Sequence, residues 1–141
     1  MKTRTLLLLA LACGLAIMLA GAVLFVQLIN QDEVEPAAEI GAEVAVGDMR
    51  VTVERSSERD GTLDVTVRAG GVVDDDPLDE FRLIASGRAV EPQPLADDQS
   101  CARFTPDART CVLRFDVSGA DGTSRVLFYE RGDDSARWVL T

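Results

Sequence analysis

The chain has 141 residues and a net charge of -10, from 14 Lys+Arg against 24 Asp+Glu, with no histidine. The missing imidazole excludes a Ser-His-Asp triad, a Cys-His dyad and His-ligated metal or haem. The acidic balance argues against nucleic acid as a partner, because such binding needs a basic footprint. Hydrophobic residues make up 47% of the chain, but 22 of them fall in the first 29 positions. The remainder is of ordinary water-soluble composition and long enough for one domain of about 100 residues.

Lys2 and Arg4 precede an uncharged apolar run, Leu6 to Val26, which Leu28 and Ile29 extend past Gln27. At about 1.5 Å per helical residue this run covers roughly 31 Å, the thickness of a bilayer core. Residues 1–4 are therefore read as a cytoplasmic tail and 5–29 as a transmembrane signal-anchor helix. Asp32, Glu33 and Glu35 lie beyond its far end, so the positive-inside bias exports the rest of the chain. Other fates remain open. Ala20-Gly21-Ala22 has the form of a signal-cleavage site, and Leu11-Ala12-Cys13-Gly14 has a partial likeness to a lipidation motif with Cys13 as acceptor. Ala12, Ala16 and Ala20 recur every fourth residue, a small-residue stripe of the kind that lets membrane helices associate.

Residues 30–40, with Pro36 and several acids, read as a short extended linker. Residues 41–141 then read as one exported domain. Residues 30–141 carry 12 Arg and 24 acids, a charge that anionic lipid heads would repel.

From residue 41 the pattern has period two. Met49, Val51 and Val53 alternate with polar residues, as do Leu63, Val65 and Val67, and Cys111, Leu113, Phe115 and Val117. Such alternation gives a strand one dry and one wet face. Weaker strands are expected at 43–46, 81–85, 88–90, 101–104, 124–130 and 137–140. Turn signals fall between them at Gly47-Asp48, Asp60-Gly61, Gly70-Gly71, Ser86-Gly87, Ser118-Gly119 and Gly132-Asp133. Seven to nine short strands in this length point to an all-β fold, an immunoglobulin-like antiparallel β-sandwich ahead of a small barrel. Trp138 is expected in its core, and Tyr129 is kept open as an exposed aromatic.

Cys101 and Cys111 are the two cysteines outside the apolar segment, and in an oxidising compartment they are expected to pair. By loop-closure entropy such a bridge contributes about 2–3 kcal/mol. The densest polar feature is the run holding Asp74, Asp75, Asp76, Asp79 and Glu80. Clustered loop carboxylates can bind calcium, although this run lacks the EF-hand pattern. Calcium is the sole ion or cofactor the sequence suggests. No phosphate loop is present, since Lys2 is the single lysine. With 24 acids in the chain, paired carboxylates carry no information about hydrolysis, and no catalytic residues are expected.

The exported part resembles the bacterial families of secreted or membrane-anchored immunoglobulin-like domains of unknown function, related to the immunoprotective extracellular antigen fold. The similar stretches are Gly41 to Asp48 followed by Val51-Thr52-Val53, then Leu63 to Val67, Phe81-Arg82-Leu83 with Gly87-Arg88, and Phe115-Asp116-Val117. They span roughly residues 41–130. The chain departs at Arg68-Ala69-Gly70, where that family tends to place an Asn. The resemblance implies a sandwich at the cell envelope and no activity. The expected role is a displayed, non-catalytic module that binds another envelope protein or a ligand.

Overall fold

A computed structural model describes residues 2–31 and 36–140, with side chains from 2–29 and 36–140. Two compact units divide at Pro36. The first contains α1 (Thr3–Gln31), an apolar helix long enough to cross a membrane by length and composition. Its 29 residues extend about 43 Å at 1.5 Å per residue. Ala12, Ala16 and Ala20 lie on it and are exposed, as is the free thiol of Cys13. The Ala20-Gly21-Ala22 tripeptide is helical as well. Asp32, Glu33 and Glu35 lie outside the described residues.

The second unit is a β-sandwich of eight strands: β1 (Glu43–Val46), β2 (Met49–Arg59), β3 (Thr62–Gly70), β4 (Phe81–Ala85), β5 (Arg88–Val90), β6 (Arg109–Asp116), β7 (Arg125–Arg131) and β8 (Asp134–Val139). One antiparallel sheet has the order β1-β2-β3-β6 and the other β5-β4-β7-β8. Four two-residue turns close the hairpins, and the sequence marks each of them. Asp60 and Ser86 adopt positive φ just before Gly61 and Gly87. Positive φ at both central residues matches the right-handed twist of the flanking strands, which is why Asp-Gly and Ser-Gly stand there.

The core forms where the two inner faces meet. Val51, Val53, Leu63, Val65, Val67, Leu113 and Phe115 come from the first sheet, and Phe81, Leu83, Leu127, Tyr129 and Trp138 from the second. Phe81 packs against Tyr129 with the rings tilted by 38° and centroids 4.5 Å apart, and it meets Phe104 edge-on at 6.1 Å.

Three expectations need correction. Tyr129 is fully buried, because strand parity points it inward with Leu127. Residues 101–104 form no strand; they belong to a loop that pairs only through isolated bridges at Ser100 and Phe104. The ordered unit also begins inside the expected linker, since the Ala38 amide donates to the Arg137 carbonyl at 2.8 Å beside β8. An unforeseen 3-10 turn, Pro77–Glu80, leads into β4.

Candidate functional site

A groove of about 650 Å³ lies on the outer face of the β1-β2-β3-β6 sheet. It exists because β2 changes parity halfway. Val53 pairs with Val67, but the next partner of β3, Thr66, faces Arg55, so Glu54 is an extra residue in the ladder. One inserted residue flips every side chain beyond it. Arg55, Ser57 and Arg59 would otherwise continue the inward series of Met49, Val51 and Val53. The bulge turns them outward beside Thr62, Asp64 and Thr66 of β3 and Val112 and Arg114 of β6.

The far wall is the segment after β5. Its Gln93 amide donates to the Arg114 carbonyl at 2.7 Å, and the Val112 amide donates to the Gln99 carbonyl at 2.7 Å. These bonds lay residues 93–100 along β6 and bring Leu95, Asp97 and Gln99 to the groove. On the floor, Arg114 grips Asp64 through two hydrogen bonds, Nε to Oδ1 at 2.7 Å and Nη2 to Oδ2 at 2.9 Å. That contact, helped by Asp97, holds the guanidinium more firmly protonated than usual. Arg55 donates weakly to the Thr66 hydroxyl at 3.4 Å, and neither Arg55 nor Arg59 makes an ion pair among the described residues.

The same parity change turns Glu58 toward the opposite sheet. There it takes two hydrogen bonds from Arg125, at 2.9 and 3.0 Å. Arg125 is only 3% exposed, and its Nη1 also donates to the carbonyls of Gly122 and Ser124. At the other end of β7, Arg131 gathers three carboxylates. Its Nε donates to Asp48 at 2.7 Å, and its Nη1 donates to Asp74 and Glu80, both at 2.8 Å. The Tyr129 hydroxyl donates to Glu80 at 3.0 Å. The hydrogen bond from Arg131 lowers the Asp48 pKa. Burial, and then Glu80, push the Tyr129 hydroxyl well above its ordinary value.

The residues suggested for calcium are therefore divided. Asp74 and Glu80 share Arg131, and Asp75 pairs with Arg103 on the surface at 3.0 Å. Asp76 is exposed and gives its amide to Asp74, while Asp79 is exposed on the 3-10 turn. Among the described residues no group of three or more Cys, Asp or Glu side chains is placed to hold a metal ion. Gly71 lets the segment leading into this run pass close to the β1-β2 turn: a Cβ there would run into the Asp48 carbonyl, and its φ is 150°. Cys101 and Cys111 are joined, with Cα atoms 5.1 Å apart. The bridge ties the loop after the 93–100 segment to the inner face of β6.

Strand reasoning missed the Glu58–Arg125 pair and the groove arginines, because nothing in Val53-Glu54-Arg55 marks an extra residue. The Arg131 cluster was within reach. Arg125, Leu127, Tyr129 and Arg131 share one parity, so both arginines had to face the interior.

No family model matches the sequence, and no curated protein matches it. Among solved structures, the secreted protein MPT63 of Mycobacterium tuberculosis aligns over 77% of this chain and 99% of its own, with a TM-score of 0.54 and 15% identity. A candidate lipoprotein of Bacillus subtilis, YcdA, aligns over 72% of this chain with the same TM-score and identity. This chain spans only 38% of YcdA's length. At such identity the likeness speaks to the fold, and it is the two-sheet sandwich that the sequence pattern implies.

Proposed function

We propose that the chain is a single-pass membrane protein with its N-terminus in the cytoplasm, whose exported sandwich is a non-catalytic binding module of the cell envelope. The observation that carries this reading is the order of its parts: a helix of membrane-spanning length, then a domain closed by a Cys101–Cys111 bridge. A disulfide in a small domain belongs to an oxidising compartment. The charges agree, with Lys2 and Arg4 before the helix and acids beyond it. The secreted and lipoprotein descriptions of the two fold neighbours point the same way. Binding is assigned to the groove, where rigid strands present polar side chains around an open volume.

Protease treatment of intact cells, with membrane fractionation and mass measurement, tests the reading. The expected result is a membrane-bound chain at its full 15.2 kDa whose sandwich is digested from outside and runs faster without reductant. A shorter soluble chain in the medium would replace the anchor with a cleaved signal. Digestion only after lysis would overturn the proposal.

A further inference from the structure

We infer that oxidation completes the groove: its far wall is a strap that the Cys101–Cys111 bridge latches onto β6. The inference rests on the reading of the sandwich as an exported binding module and adds how its groove is regulated.

Residues 91–100 bring Leu95, Asp97 and Gln99 to that wall, and they hold it weakly. Pro92 and Pro94 have no amide donor, so a continuous ladder with β6 is closed to them. Among the described residues the strap's backbone bonds to β6 lie at its two ends, at Gln93 and at Gln99, and residues 94–98 make none. The Ser100 amide turns back to the Asp97 carbonyl at 3.3 Å, a bond within the strap itself. None of these side chains is buried, and Leu95, the one large apolar residue, is half-buried. No ion pair joins the strap to the sheet among the described residues. Ordering such a segment costs conformational entropy at every residue, and little burial or hydrogen bonding offsets it. It is the kind of segment that opens locally while the core stays closed.

The bridge sits where the strap ends. Cys101 is fully buried and joined to Cys111, the residue before Val112, with Cα atoms 5.1 Å apart. It thereby keeps the Gln99 carbonyl within reach of the Val112 amide. Beyond the bridge the loop has its own hold. Asp74 and Phe104 exchange two backbone bonds at 2.8 and 3.1 Å, and Phe104 meets the Phe81 ring. Two reduced cysteines still fill their places as small apolar side chains. Loss of the bridge therefore frees the strap rather than the sandwich.

In the cytoplasm both thiols stay reduced, and the groove lacks a firm wall. After export a disulfide oxidant closes the bridge by exchange. The Sγ–Sγ bond forms, two protons and two electrons pass to the oxidant, and its own S–S bond opens to two thiols. The chain carries no finished groove until it has left the cytoplasm.

Hydrogen exchange read by mass spectrometry tests this on the whole chain in neutral detergent micelles, oxidised and then reduced with dithiothreitol. Reduction should speed exchange at the Val112 amide about tenfold or more, while amides that pair β2 with β3 stay within about twofold. The double substitution Cys101→Ala/Cys111→Ala, without reductant, should reproduce the reduced pattern. Unchanged exchange at Val112 would overturn the inference, since the strap would then hold without its latch. Equal acceleration across both sheets, or unfolding of the reduced chain, would overturn it too, because the bridge would then support the whole fold. Membrane location is measured separately by protease treatment of cells, so failure here and failure of the envelope reading are distinguishable.

Discussion

The two ends of β7 meet the same problem with different means. Both arginines of β7 point inward at the ends of the sandwich, and each charge needs a partner there. At the start of β7, Arg125 answers with one carboxylate from the opposite sheet and two backbone carbonyls. At its end, Arg131 holds three carboxylates from the β1-β2 turn and the 72–80 loop. The first is a pair that can be exchanged for apolar residues. The second is a hub, and without its cation three acids face one another. A buried ion pair is thus weak evidence of net stability, whereas a cation that organises loops is structurally hard to replace.

The sharpest way to break this contrast is Arg131→Ala. Asp74 and Glu80 are 13% and 27% exposed, so stranding them should cost about 3–5 kcal/mol. The expected outcome in denaturant unfolding is a large fall in midpoint, together with faster proteolysis in the 72–80 loop. Glu58→Gln should cost less, about 2–3 kcal/mol, because Glu58 is 38% exposed and Arg125 keeps its two carbonyls. The paired replacement Glu58→Leu/Arg125→Met should recover much of that loss. No recovery would mean that this end, too, depends on its charge.

Tyr129→Phe should cost about 1 kcal/mol, one buried hydrogen bond. It also tests the sign of a pH effect. The folded state holds the Tyr129 proton more tightly than the unfolded chain, so this stabilisation is complete below the ordinary pKa of 10.0 and is lost as pH rises above it. The parent should therefore weaken in alkali more steeply than the Phe variant in pH-dependent melting. Asp48 behaves oppositely. Its folded pKa lies below the ordinary 3.8, so its contribution is present above that value and fades as pH falls through the lowered one. Asp48→Asn should flatten that acid limb. The smallest effect belongs to calcium. Its candidate ligands Asp74 and Glu80 already hold Arg131, so millimolar calcium is expected to leave the melting temperature within about 1 °C. A clear rise would restore the acidic run as an ion site.

Much of the sandwich could be read from alternation and turns, since both arise from local chemistry. Asp60-Gly61 and Ser86-Gly87 are turns wherever they stand, and Leu63, Val65 and Val67 show their face unaided. The bulge at Glu54 could not be read, because parity on β2 is decided by its partner. Val53-Glu54-Arg55 alternates correctly on paper and is out of step only against Val67 and Thr66. The groove depends on that slip, so its arginines looked like scattered wet-face charges. The acidic run was visible as a cluster, but its partner Arg131 is some fifty residues away and is brought there by the packing of sheets. Residues 101–104 form no strand although Cys101 and Phe104 are buried: three positions apart, the two would face opposite ways in a strand, and only a loop turns both inward.

The Cys101–Cys111 bridge has a consequence for the life of the chain before it is oxidised. Residues 93–100 shield the flank of β6 through only a few backbone bonds, and the bridge fastens the end of that shield. With both thiols reduced, the shield can peel away and leave β6 as an open template for another chain. On that account the reduced chain is expected to self-associate more than the oxidised one, which sedimentation of the two forms checks.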